Sequence, residues 1–141
     1  MLLVVTVLAG LPAACQAPQD RPVDIRTDVD MCDYCRMAIS EVRYAAELID
    51  PGGMPRKFDE IGCMVRYART NHPQRDFRAT FVMDYESKTW VKGEEAYFVR
   101  SESIKTPMNS GIVAFRERST AESAASRFKG RVLTYADLWN Q

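Results

Sequence analysis

The sequence predicts an α+β protein built from two tandem ββαβ units packed together, and three observations lead there. A first run spanning about 43–85 and a second spanning about 96–133 both read as strand, Pro/Gly/Met loop, strand, helix, strand. The 141 residues are 46% hydrophobic and 27% charged, which fits one globular domain and not a disordered tail. A short sheet with one helix cannot bury its own apolar face, so the two units are expected to pack on each other.

In the first unit, Tyr44 to Asp50 reads as a strand and Pro51-Gly52-Gly53 as a turn. Arg56-Lys57-Phe58 returns as a second strand. Ile61, Met64, Val65 and Ala68 recur at helical spacing and make one apolar face. Asp59 is expected to cap that helix, and Asn71-His72-Pro73 to end it. Arg78 to Tyr85, rich in aromatic and β-branched residues, closes the unit as a strand. In the second unit, Ala96 to Arg100 is a strand, Lys105 to Gly111 a loop, and Ile112 to Phe115 a strand. Ser119 and Glu122 read as a capping box opening a helix that runs to Lys129, with Gly130 as its stop. Arg131-Val132-Leu133 is a short strand, and Thr134 with Asp137 opens a last short helix.

The N-terminus stands apart from this pattern. Residues Met1 to Leu11 are uncharged and apolar, and far shorter than the roughly 20 residues of a membrane-spanning helix. They read as the core of a secretory signal, 1–14. Small residues then precede Cys15 as in a bacterial lipobox, which makes Cys15 the expected lipidation site. Residues 15–30, with Pro and mixed charge, read as a lipid-anchored flexible linker to a domain over 31–141. This places the protein outside the cytoplasm.

Charge says little about partners: 19 Lys+Arg balance 19 Asp+Glu, so no sequence-wide basic field points to nucleic acid. Sulfur is the stronger signal, with four Cys and seven Met against one His. Apart from Cys15, three cysteines remain, an odd number for an oxidising compartment. Met31-Cys32-Asp33-Tyr34-Cys35-Arg36-Met37 places four sulfurs in seven residues, and a C-x-x-C loop lets two thiolates face one small volume. Closed zinc sites want four ligands, and there is no second C-x-x-C; Cys63 and His72 would have to converge from opposite ends of a helix. Thioethers favour Cu(I), which accepts two or three soft ligands, and they bind without losing a proton. Met37 lies two residues past Cys35, on the same side of an extended chain, and Met108 sits in a Pro/Gly loop where a core role is less natural. Met31, Met64 and Met83 are expected in the core, Met54 on an exposed loop, and His72 at the helix end. Cys63 reads equally as a buried hydrophobe or a neighbour of the site.

Four segments in order carry a resemblance. Cys32-Asp33-Tyr34-Cys35-Arg36-Met37, Phe58-Asp59-Glu60-Ile61-Gly62-Cys63-Met64, Val82-Met83-Asp84-Tyr85 with Thr89-Trp90-Val91, and Thr106-Pro107-Met108-Asn109-Ser110-Gly111 with Ala114-Phe115 resemble the NosL family of nitrous oxide reductase accessory lipoproteins. Arg36 and Asn109 stand where that family commonly has Gly. The resemblance implies a fold similar to organomercurial lyases, again two ββαβ units. It implies a periplasmic, non-enzymatic Cu(I) chaperone, lipid-anchored to a membrane, with the outer membrane preferred. Its partners would be nitrous oxide reductase and the machinery that assembles its copper centres. Carried over, the ligands are Cys35, Met37 and Met108, with Cys32 and Cys63 as lesser candidates, and the C-R-M segment is expected to meet the T-P-M loop between the units. Two other functions compete: a thiol–disulfide oxidoreductase using Cys32 and Cys35, and a small zinc-stabilised binding module.

Overall fold

In a computed structural model, residues 20–140 are described. The signal segment 1–14 and the lipidation site Cys15 lie outside the described residues.

Each unit places its first strand in the middle of its sheet. In the first, β1 (Ala46–Ile49) is flanked by β2 (Pro55–Phe58) and β3 (Ala79–Met83), all antiparallel, and α1 (Ile61–Asn71) joins β2 to β3. A short β4 (Trp90–Lys92) adds to the far side of β3. The second unit repeats this order: β5 (Tyr97–Arg100) lies between β6 (Ile112–Phe115) and β7 (Arg131–Leu133), with α2 (Arg118–Arg127) before β7. α3 (Tyr135–Trp139) closes the chain. The ββαβ repeat is therefore present twice, as the sequence predicts. β4 was not predicted; three residues ending in an exposed lysine show no alternation to read.

The two sheets meet where β3 runs on past Met83. Asp84 bridges Ala114 in parallel, the Tyr85 N–H donates to the Ala114 carbonyl at 2.8 Å, and the Arg116 N–H donates to Asp84 Oδ2 at 2.7 Å. One core then runs through both units. Leu48, Phe58, Ile61, Met64 and Val82 from the first pack with Phe98, Ile112, Leu133 and Leu138 from the second. The opposite face of the second sheet, Val99, Val113 and Phe115, is covered by the alanine face of α2. Strands of the second unit thus bury both faces, which is why Ile112–Phe115 reads as a continuous apolar run.

Several local expectations are corrected. α2 starts at Arg118 with Glu117 as an N-cap that makes no side-chain hydrogen bond, so Ser119 is inside the helix and makes no capping box; Glu122 pairs with Arg118 instead. Gly130 is not the left-handed residue at its end. Lys129 takes that role with φ 51°, and the Gly130 N–H reaches the Ala125 carbonyl at 2.8 Å. Gly130 is small for another reason: a Cβ would come within 2.6 Å of the Arg100 carbonyl oxygen. The capping box of α3, Thr134 with Asp137, is present in both directions. Asp59 does not cap α1, whose N-cap is Glu60. Met64 and Met83 are in the core and Met54 is exposed, but Met31 is 52% exposed, because the hairpin that carries it buries Cys32 instead.

The stretch read as linker is docked from Asp20 onward. The Val23 N–H donates to both oxygens of Glu47 at 3.1 Å, and Asp20 pairs with Arg78 at 2.9 Å. Lys57 donates to the Asp24 carbonyl and to Asp30 Oδ2. The Arg26 backbone N–H, then Lys57 and the Arg26 guanidinium, hold the Asp30 carboxyl well below the usual carboxylate range. Among the described residues no helix is long and apolar enough to cross a membrane.

Glu47 is fully buried, and burial pushes its carboxyl from 4.5 up to about 7, against the Val23 N–H and the charge of Lys57. A raised folded pKa contributes stability below the unfolded value that is lost as pH rises through the folded one. Stability is therefore expected to fall by about 1–3 kcal/mol between pH 5 and pH 8. Urea unfolding at a series of pH values should show that slope, and Glu47→Gln should flatten it.

Candidate metal centre

The C-x-x-C segment folds as a small hairpin. Met31 bridges Ala38, the Cys32 N–H donates to the Met37 carbonyl at 2.8 Å, and the Arg36 N–H donates to the Cys32 carbonyl at 3.0 Å. Arg36 holds φ at 66°, the left-handed region where glycine is free and other residues pay about 1 kcal/mol. Asp33 fixes the hairpin to the outer edge of β2: its N–H donates to the Lys57 carbonyl and its Oδ2 accepts from the Lys57 N–H, both at 2.8 Å. A strand edge that would otherwise be open is used to seat the thiols.

β2 ends at Phe58, and the next two residues lead into α1. There Cys32 and Cys35 from the hairpin meet Asp59 and Cys63, and the ligand atoms of these four lie within 4.8 Å of one another. Cys32 and Cys63 are fully buried, Asp59 nearly so, and Cys35 is half-buried. All three cysteines are free thiols. The Cys35 thiol donates to Asp59 Oδ2 at 3.3 Å, while Asp59 Oδ1 is buried with no hydrogen-bond partner. That orphaned oxygen, beside three sulfurs, fits a cation better than an empty core. A hydrogen bond from the Cys63 thiol pulls Cys32 down to about 6, against its burial. The same bond drives Cys63 up, and burial pushes Cys35 up to about 11. The proton-sharing thus favours a thiolate at Cys32 and the protonated form at the other two sulfurs, and a metal bound there would displace protons.

Glu60 extends this cluster toward the second unit. It is fully buried, and its Oε2 accepts the Met108 N–H at 3.0 Å and the Ser110 N–H at 3.5 Å. Its Oε1 lies 3.7 Å from the Arg66 guanidinium, which in turn sits over the Tyr34 ring at 6.0 Å. One peptide unit therefore separates the carboxylate at Cys35 from the carboxylate that holds the T-P-M loop. The loop is tightened by Thr106, whose hydroxyl accepts the Gly111 N–H at 3.1 Å. Asn109 and Gly111 both take positive φ, 58° and 67°. Asn tolerates that region better than most side chains. Arg36 and Asn109, the two positions at which the resembled family commonly has Gly, are thus both left-handed.

Of the sequence-predicted residues, the structure gathers Cys32, Cys35 and Cys63 at one point. Met37 is 59% exposed on the outgoing arm of the hairpin, and Met108 is 37% exposed on its loop. His72 caps the far end of α1, about 14 Å from Cys63 by helical rise, and pairs with Asp76 at 3.0 Å. Sequence reasoning missed Asp59 and Glu60 as parts of the site, since two acids before a helix look like surface caps. Gly62 was the available hint. A Cβ there would overlap Ser110 Cβ and come within 2.7 Å of Glu60 Oε1, so a close approach is required.

The sequence profile of the NosL family matches residues 22–141. The chain belongs to the NosL family. The crystal structure of the copper chaperone NosL from Shewanella denitrificans superimposes with a TM-score of 0.75 at 17% identity, covering 85% of this chain and 96% of that one. At that identity the likeness carries the fold. No curated protein sequence matches the chain. In this member of the family the Cys/Asp cluster is able to hold a metal ion.

Substitutions at two positions test the local geometry. Gly62→Ala should cost about 1–3 kcal/mol by overpacking. It should also push the T-P-M loop outward, so that peroxide oxidises Met108 faster relative to Met54, as read by peptide mass spectrometry. Arg36→Gly should hold or raise stability by up to ~1 kcal/mol, while Arg36→Val lowers it.

Proposed function

We propose that this chain is a lipid-anchored periplasmic carrier of Cu(I), delivering copper for the maturation of nitrous oxide reductase. The observation that carries this reading is the meeting of three free thiols, Cys32, Cys35 and Cys63, at one point. Cu(I) is the cargo, held by Cys35, Met37 and Met108, with Cys32 and Cys63 behind them. The arrangement of sulfur supports transfer over storage. Exposure rises from Cys32 and Cys63, fully buried, through Cys35 to the thioethers Met37 and Met108. An ion passed along this series reaches the surface by exchanging one soft ligand for the next. A thioether needs no proton to release the ion, so the last exchange is insensitive to pH. The role is delivery, with no chemical step of the protein's own. Secretion by the 1–14 segment and acylation at Cys15 would keep the carrier at a membrane, the outer membrane by preference.

One observation favours a second reading. Asp59 supplies the fourth ligand that the sequence lacked, so Cys32, Cys35, Cys63 and Asp59 together match the donor count of a structural zinc site. The thiol–disulfide alternative has less support, since Cys32 and Cys35 sit in a turn on a strand edge and not at a helix N-terminus.

An anaerobic Cu(I) titration against a competing chelator separates the readings. One-to-one binding should be lost in Cys35→Ser and weakened about tenfold, some 1.4 kcal/mol, in Met108→Leu. Binding that ignores both changes would contradict the site. A melting temperature raised steeply by zinc alone, and not by Cu(I), would establish the structural module instead.

A further inference from the structure

Positive charge is segregated on one side of the T-P-M loop. Two adjoining grooves share Arg100, Asn109 and Ser110 as walls. The larger, about 1070 Å³, is lined by Arg100, Lys105, Lys129 and Arg131 against a single acid, Glu102. The smaller, about 230 Å³, adds Arg66 and Arg69 and has no acidic residue in its wall. A chain whose 19 cations balance 19 anions thus places six cations in these walls against Glu102 and, beneath the loop, the buried Glu60 that pairs with Arg66. Lys105 donates to the backbone carbonyl of Glu102, a neutral acceptor that leaves the ammonium charge in place. Gly111 and Gly130 both lie in the larger wall and let its backbone segments pack closely, since a Cβ would strike the Ser101 or the Arg100 carbonyl.

We propose that these two grooves are the docking face for an acidic protein surface, which reaches Met108 across Asn109 and Ser110. The electrostatic part stands on the grooves alone; its purpose, bringing a recipient's ligands to the copper, rests on the proposed function. Complementary charge of this kind raises the association rate and sets orientation more than it raises final affinity. Such a device suits a carrier that must meet its partner and then leave it. The concave shape favours a protein side-chain surface over a bilayer, which would touch only the rims. A bilayer pressed here would also cover Met108.

The test uses a synthetic peptide with two Met flanked by Asp residues, and a twin with Asn in place of every Asp. Binding to the copper-free protein is followed by amide chemical shifts. At low salt the Asp peptide should bind about tenfold more tightly than its twin, with the gap closing at high salt. Lys105→Glu combined with Arg131→Glu should abolish the gap, and Lys105→Gln with Arg131→Gln should narrow it, both at unchanged melting temperature. Equal binding of the two peptides, or a gap that survives the charge reversal, overturns the proposal. So does charge-dependent binding to phosphatidylglycerol vesicles without any preference between the peptides, which would assign the face to a membrane. Cu(I) affinity, measured separately, should be the same in the reversed variant. If the unmodified protein fails to bind Cu(I) while the peptide gap stands, the proposed function fails and the docking face does not.

Discussion

The buried carboxylate of Glu60 is the constraint on which the arrangement depends. It lies at the entry to α1, fully removed from solvent, and its hydrogen bonds run to backbone amides of a loop in the other unit. A buried polar group is costly unless it is hydrogen-bonded, so the loop cannot move off without leaving the Glu60 side chain buried and unsatisfied. Asp59, its neighbour, meets the Cys35 thiol. Two consecutive acids therefore hold the C-x-x-C hairpin and the T-P-M loop, one each. Gly62 completes the junction by letting Ser110 approach the first turn of the helix.

The tandem architecture explains why such a junction exists. Each ββαβ unit has an apolar sheet face that it cannot cover alone, and the common core of Leu48, Phe58, Met64, Phe98, Ile112 and Leu138 forces the units together. The seam between them is lined by loops, because the strands and helices are spent on the core. Loops on a rigid scaffold are where ligand-bearing residues are held without distorting the fold. The C-x-x-C hairpin follows the same logic. It is anchored by Asp33 and Lys57 to a strand edge, and Arg36 accepts an unfavourable backbone conformation to close it.

Much of the fold was legible because the signals were periodic. Ile61, Met64, Val65 and Ala68 mark a helix face, and Ile112 to Phe115 mark a strand buried on both sides. What failed was short or depended on distant partners. β4 is too brief to show alternation. Ser119 and Glu122 match a capping box in spacing, yet the chain turns helical earlier and spends Glu122 on Arg118. The docking of residues 20–30 needs Glu47 and Lys57, far away in sequence. Within the site, cysteine spacing was enough to pair Cys32 with Cys35. The arrival of Cys63 and Asp59, and the burial of Glu60, are tertiary facts with no local signature.

The central claim is that copper sits among sulfur donors contributed from both sides of this seam. X-ray absorption at the copper edge of the Cu(I)-loaded protein tests it most directly. The account predicts a first shell of sulfur alone that loses a scatterer in Met108→Leu and keeps its count in Asp59→Asn. A shell containing oxygen that disappears in Asp59→Asn, with no response to Met108→Leu, would contradict it.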